Sequence, residues 1–291
     1  MRCLMILGFA VLCVSGIVAA QPPADWPKVL RFGVVPTEGG ADTTKRFTPL
    51  AERLTRELGV PVEVVSASTY QGVVTAMSNK QIEFGWFGPK AYIEAARRAD
   101  AEALVMELSR DGQRGYRAIF IVPSKSPIQN LNDARGKRFA YTDPNSASGR
   151  LIPAMLLQEK TRQRAEEFFG EVKYSGSHGT SILQVANGEL DIAATNDLDL
   201  LRMIQKGAVR EADVRVILRS ELIPGAPVAA RRELPASLKK AFADALIEVS
   251  KEPAMLEVLQ NGGFVPTSDE EFDIVRATDE FMKAQEKSNG K

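Results

Sequence analysis

The amino-acid sequence predicts an α/β protein built as two similar lobes with a cleft between them. Three observations carry this. Strand-like and helix-like segments alternate from residue 29 onward, as a mostly parallel sheet flanked by helices requires. The alternation restarts after a long apolar strand at residues 116–122 (YRAIFIV). Finally, residues 74–86 (VTAMSNKQIEFGW) are echoed at residues 182–194 (ILQVANGELDIAA). In both, an apolar helix ends at an asparagine (Asn79, Asn187), turns through two residues and enters a strand at Ile82 or Leu190. Two lobes of one topology would produce this echo directly. Ligands of open α/β sheets bind at the carboxyl ends of strands, beside helix N-termini, and two such ends facing each other make a closing clamp.

Ahead of this pattern, residues 1–20 read as a secretory signal. Arg2 supplies the positive start, residues 4–14 (LMILGFAVLCV) the apolar run, and Val18-Ala19-Ala20 the small-residue exit before Gln21. The run is short for a membrane span, which needs about 20 apolar residues. Leu12 is too bulky for the position before a lipid-bearing Cys13. The expected location is periplasmic. Residues 29–35 (VLRFGVV) then form a strand that stops at Pro36 and Gly39-Gly40, and Phe47, Leu50, Leu54 and Leu58 have helical spacing closed by Gly59. A strand at 61–66, a helix at 70–77, a strand at 82–87 and a helix at 90–97 complete the first run. After residues 116–122 come strands at 138–142, 171–174, 190–194 and 214–218, with helices at 151–160 and 180–186 between them. Two helices close the chain, across 236–260 and 269–286.

Composition excludes several classes of function. The chain has 37 basic and 37 acidic residues, and losing Arg2 with the signal leaves 36 against 37, so no polybasic surface for nucleic acid is expected. Both cysteines, Cys3 and Cys13, lie within residues 1–20. The rest of the chain therefore has no disulfide, thiol nucleophile or cysteine metal ligand. With one histidine, His178, no metal site and no cofactor are expected. Ser177 adjoins His178, but neighbours in sequence rarely have the geometry of a nucleophile and its base. The G-x-S-x-G and Walker patterns are absent, and Asp197 with Asp199 reads as a solvated pair. The chain is not expected to be an enzyme.

The strongest local site is the segment Tyr141-Thr142-Asp143-Pro144-Asn145-Ser146-Ala147-Ser148-Gly149. It follows a strand and precedes a helix, so its amides lack intrahelical acceptors and suit an anion at the positive end of the helix dipole. Ser146 and Ser148 add hydroxyl donors, and Gly149 permits close approach to the backbone. Pro153 predicts a delayed or distorted first turn. An ordinary N-cap would use the same residue types. His178, in Gly176-Ser177-His178-Gly179-Thr180, also sits at a strand-to-helix junction. It suits a cleft-facing donor and a surface loop equally.

Taken together, Phe87-Gly88-Pro89-Lys90-Ala91-Tyr92, the Asp143-Pro144-x-Ser146-x-Ser148-Gly149 turn, Gly176-Ser177-His178 and Asp191-x-Ala193-Ala194-Thr195-Asn196 resemble, in order and spacing, the phosphate/phosphite/phosphonate-binding proteins of ABC importers. Pro36, Pro49-Leu50 and Ile223-Pro224-x-x-Pro227 extend the resemblance over nearly the whole chain after residue 20. The resemblance implies a type II periplasmic binding protein, with two α/β lobes, a ligand cleft and hinge strands. On that basis residues 21–117 and 220–291 form lobe 1, and residues 118–219 lobe 2. It implies a monomer that captures a small phosphorus oxyanion, a phosphonate or phosphite, for ABC permease subunits. By the same resemblance the ligand contacts are Ser146, Ala147, Ser148 and Gly149 on the turn, Tyr70 and Tyr92 over the ligand, His178 on an oxygen, and Asp199 as an acid, with neutral dipoles holding the anion and no basic cage. Three positions depart from the family pattern. Ala147 stands where many relatives have a hydroxyl, Lys90 brings a charge near the cleft, and Ala226 stands where phosphonate binders often carry an acid. Aminoethylphosphonate is accordingly less expected than phosphite or a phosphonate with an uncharged tail. Two alternatives keep the cleft and change the role: a binder of another anion, phosphate or a sulfonate, or a periplasmic ligand sensor for a receptor kinase.

Overall fold

The computed structural model describes residues 21–289; the predicted signal, residues 1–20, lies outside them. Two separate sheets form, as expected. The first contains β1 (Leu30–Val34), β2 (Val62–Ser66), β3 (Phe84–Trp86), β4 (Ala101–Glu107), β10 (Pro227–Arg231) and β11 (Phe264–Pro266), in the order β11-β4-β10-β3-β1-β2. The second contains β5 (Gly115–Pro123), β6 (Arg138–Tyr141), β7 (Glu171–Tyr174), β8 (Ile192–Asn196) and β9 (Val214–Pro224), in the order β7-β6-β8-β5-β9.

Both sheets are mixed in the same way. β1 pairs in parallel with β2 and β3, and β6 in parallel with β7 and β8. An antiparallel strand then follows in each, β10 beside β3 and β5 beside β8. The helices are α1 (Gly40–Leu58), α2 (Tyr70–Ser78), α3 (Pro89–Ala99), α4 (Ile152–Thr161), α5 (Ala165–Phe168), α6 (His178–Ala186), α7 (Asp197–Gln205), α8 (Ala236–Val249), α9 (Pro253–Leu259) and α10 (Asp273–Asn289). Buried aromatic rings fix helices to sheets: Phe84 stacks on Phe242 of α8, and Phe32 meets Phe47 of α1 edge to face.

Three strands escape the sequence pattern. β4 reads AEALVME, a helix-forming composition, yet it lies between β10 and β11 and pairs with both. Ladder hydrogen bonds override local propensity there. β10 and β11 are short and begin or end at proline. The helix expected across 236–260 is two, because Pro253 starts a new one after the break at Ser250–Glu252.

The chain passes from the first sheet to the second between Glu107 and Gly115 and returns between Pro224 and Pro227. The division expected at 117/118 and 219/220 thus falls inside β5 and β9. The two crossings run side by side: β5 pairs with β9, β4 with β10, and the Glu107 amide donates to the Ala226 carbonyl at 2.9 Å. Gly225 permits this closeness, since a Cβ there would stand 2.1 Å from the Glu107 carbonyl oxygen. Helix α10 touches both halves. Its Asp279 receives Lys90 of α3 at 2.9 Å, and its Glu286 receives Arg150, ahead of α4, at 3.0 Å. Among the described residues, no helix is long and apolar enough to cross a membrane.

Candidate functional site

Helix N-termini from both halves meet at one cavity. β3 leads through Gly88 into α3, and β8 leads through Asn196 into α7. Thr69 caps α2 by accepting from the Gly72 amide, and Ser177 caps α6 by accepting from the Thr180 amide, both with their side chains. Tyr70 and His178 are the first residues of those two helices, and both are buried.

The turn at residues 142–151 takes its shape from proline. Pro153 has no N–H to offer the Gly149 carbonyl, which accepts from the Thr142 amide instead at 3.0 Å. The chain then winds as a π turn, Ala147–Leu151, before α4 begins. Ser146 caps this turn, its Oγ accepting from the Gly149 amide at 2.9 Å. The Gly149 amide is therefore already satisfied, and the free first-turn donors are the amides of Ala147 and Ser148. Gly149 packs tightly on Thr142. A Cβ there would lie 1.6 Å from Thr142 Oγ1 and within 2.8 Å of Thr142 Cβ and Cγ2.

The cavity is small, ≈ 30 Å³, and is lined from the first half by Thr37, Tyr70, Trp86, Gly88, Glu107 and Ala226. Tyr116, Ser146, His178, Asn196, Leu198, Asp199 and Arg202 line it from the second. Of the residues expected from the sequence, Tyr70, Ser146, His178 and Asp199 come together here. Ala147, Ser148 and Gly149 form the turn behind Ser146, and Ser148 Oγ accepts from Asn196 Nδ2 at 3.4 Å. Tyr92 is elsewhere, which corrects its expected place over the ligand. Its hydroxyl donates to Asp269 at 2.5 Å and accepts from the Ala103 amide at 3.1 Å, while its ring packs on Phe272. Lys90 is likewise spent, on Asp279.

Sequence reasoning missed Thr37, Trp86, Glu107, Tyr116, Asn196 and Arg202. Four lining residues carry a buried polar atom without a partner: Thr37 Oγ1, Tyr70 OH, Trp86 Nε1 and Arg202 Nε. The Tyr70 hydroxyl lies near Ser146 without a bond of acceptable geometry. Leaving a buried donor unsatisfied costs about 1–3 kcal/mol, so such a cluster at one cavity points to an acceptor-rich ligand. Arg202 adds a cation to a wall expected to hold the anion mainly through neutral dipoles. Its NH2 donates to Glu107 Oε1 at 2.6 Å and its NH1 to Asp199 Oδ1 at 3.2 Å.

Burial, opposed by the Asp199 charge and helped by that of Arg202, holds the His178 imidazole below its ordinary value, so the ring is neutral at pH 7. Its Nδ1 lies 3.0 Å from Thr195 Oγ1 and its Nε2 3.3 Å from Ser146 Oγ. Burial acts to raise the Asp199 carboxyl. Positive charge, here that of Arg202 because His178 is neutral, and the Asn196 hydrogen bond still hold it below the usual carboxylate range. Burial raises the Tyr70 hydroxyl well above its ordinary range, which keeps it a protonated donor.

Comparison with known proteins gives a consistent picture. Residues 32–272 match the family described as ABC transporter, phosphonate, periplasmic substrate-binding protein. The chain is 30% identical to the phosphonates-binding periplasmic protein of Escherichia coli K12, across 88% of this chain and 77% of that one. It is 28% identical to a phosphate-import protein of Mycolicibacterium smegmatis, across 92% of each. Among solved structures, the binding-protein component of an ABC phosphonate transporter from Pseudomonas aeruginosa superposes with a TM-score of 0.84 at 26% identity, covering 93% of this chain and 89% of that one. A Prochlorococcus marinus protein in complex with methylphosphonate superposes at 0.79 with 20% identity, covering 88% and 98%, and shares the fold.

Proposed function

This chain belongs to the family of periplasmic substrate-binding proteins of phosphonate ABC transporters, and from that premise we propose that it captures a small phosphorus oxyanion, phosphonate or phosphite, between its lobes and hands it to ABC permease subunits. One observation carries the ligand class: Thr37, Tyr70, Trp86 and Arg202, which line a cavity where helix N-termini meet, each have a buried donor without a partner. Desolvated dipoles of this kind hold an oxyanion without a cage of lysines.

Capture proceeds by closure, with the segments at 108–114 and 225–226 as the hinge between a lobe 1 built on the first sheet and a lobe 2 built on the second. Contacts that would form only on closure support this. The Tyr70 amide donates to Asp143 Oδ2 at 3.3 Å, Asn145 Nδ2 to Gln71 Oε1 at 3.1 Å, and the Gly179 amide to the Thr37 carbonyl at 3.1 Å. In this reading residues 1–20 are the export signal, the working unit is a monomer, and no bond in the ligand is made or broken.

A thermal-shift panel of phosphite, methylphosphonate, aminoethylphosphonate, phosphate and sulfate tests the reading. A ligand at 100 times its Kd stabilises the folded state by about 2.7 kcal/mol. A rise in Tm with at least one phosphorus oxyanion and none with sulfate is expected. A panel in which no phosphorus compound shifts the transition overturns the reading.

A further inference from the structure

The acids of the cavity are already paired from within. Arg202 is 2% exposed and bridges Glu107 and Asp199, one from each half of the molecule. Glu107 Oε1 also accepts from Asn261 Nδ2 at 2.9 Å, and Asp199 Oδ2 from Asn196 Nδ2 at 2.7 Å. A second buried pair, Arg46 with Glu38 at 2.6 Å, stands behind this one, and Lys206 also reaches Glu38. What remains unsatisfied at the cavity is donor-rich. Trp86 Nε1 and Arg202 Nε can only donate, and the Thr37 and Tyr70 hydroxyls bear one donor each.

An ammonium group brings three donors and no acceptor. Placed here it would meet a guanidinium and the methyl group of Ala226, which lines the same wall. Either carboxylate it reached is one that Arg202 already holds, so the ammonium would compete with a buried cation for it. A ligand with acceptors on every side satisfies the wall without that competition. Resting on the oxyanion reading above, we infer that this protein selects compact phosphorus oxyanions without a cationic substituent, and that Arg202 is the residue that sets this selection. Asp199 is then the counter-ion of Arg202 and not an acceptor for a ligand amine.

Calorimetric titration with methylphosphonate and with 2-aminoethylphosphonate decides the matter, because the two share the phosphono group and differ in the ammonium arm. The wild type should bind methylphosphonate at least tenfold more tightly. Arg202→Met frees Glu107 and Asp199 and should move the ratio of the two affinities toward the amino compound by tenfold or more. Arg202→Lys keeps the charge but loses the planar fork, and should weaken both ligands while preserving the order. Wild type that takes 2-aminoethylphosphonate equally or more tightly overturns the inference and leaves the oxyanion reading standing, and this comparison needs no folded variant. An unchanged ratio in folded Arg202→Met, checked by circular dichroism, removes Arg202 as the determinant. Binding of neither compound, nor of phosphite, sinks the underlying reading as well.

Discussion

The two halves of the molecule place equivalent parts at the cavity and use them differently. Tyr70 opens α2 behind the cap Thr69, and His178 opens α6 behind the cap Ser177. Gly88 caps α3 after β3, and Asn196 caps α7 after β8. The spacing is 108 residues in each case, the same as between the echoed segments 74–86 and 182–194. In the second half the polar groups at these places hold the structure together. Ser146 and Asn196 accept cap hydrogen bonds, and His178 lies against Thr195 and Ser146. In the first half Thr37, Tyr70 and Trp86 each leave a buried polar atom unpartnered. Most of the cavity's unpaired buried donors thus belong to the first half, with Arg202 Nε added from the second, which makes the first half the side expected to gain most from an oxyanion.

Gly149 offers the largest test of this contrast. Alanine at Gly149 would clash with three atoms of Thr142, so rotating that side chain gives no relief, whereas alanine at Gly40, in the first turn of α1, meets Ser66 Oγ at 3.3 Å. Gly149→Ala should cost about 3 kcal/mol or more in urea denaturation, at the upper end of overpacking effects, and Gly40→Ala less than about 1 kcal/mol. Equal losses would mean that the turn is not the rigid part of the site.

Next in size is the exchange between stability and affinity at Tyr70. Tyr70→Phe removes an unsatisfied hydroxyl, so the ligand-free protein should hold its stability or gain about 1 kcal/mol, while oxyanion affinity falls by about 1.5–3 kcal/mol. Ser146→Ala should lower both, losing about 1 kcal/mol of stability with the cap. Denaturation and calorimetry on both variants check this, and a Tyr70→Phe protein that loses stability without losing affinity contradicts the contrast.

A smaller effect comes from His178, through pH. Its folded-state value is depressed by burial, so the unfolded chain takes up a proton near pH 6.5 that the folded chain refuses. Its stabilising contribution is therefore present above about pH 6.5 and is lost as pH falls, by at most about 1.4 kcal/mol per pH unit. His178→Gln should flatten that part of the ligand-free profile between about pH 7 and 5, and parallel profiles would show that His178 does not titrate in this window. A bound dianion favours the charged ring, so ligand should draw the titration back upward in wild type alone.

Smallest is a backbone effect. Lys80 has φ 57° where its counterpart Gly188 has φ 74°, and both turns close the same way, Gln81 N on Ala76 O and Glu189 N on Gln184 O. A non-glycine residue pays roughly 1–2 kcal/mol in the left-handed region. Part of that returns as chain entropy, so Lys80→Gly should raise stability by about 0.5–1 kcal/mol. The exposed ion pair Lys80–Glu233 adds little against it. A lower Tm for Lys80→Gly would break the equivalence of the two turns.

Local rules made much of this protein legible in its sequence. Strand–helix alternation, the echo of residues 74–86 at 182–194, and the strand-to-helix turns at Ser146 and His178 depend on short-range periodicity and capping. These gave two similar lobes and four of the lining residues, Tyr70, Ser146, His178 and Asp199. Pro153 announced a distorted first turn, and the π turn is its form. Tertiary contact decided the rest. The segment AEALVME became β4 because β10 and β11 arrive from far along the chain to pair with it. Tyr92 turned away to Asp269, 177 residues on, and Lys90 to Asp279. Arg202 carried no local sign of being the cation of the site, since Glu107, its partner, lies 95 residues earlier on the other sheet. A charge at a helix surface and a charge buried between two carboxylates look alike in sequence, because only the long-range pairing determines whether water or protein surrounds them.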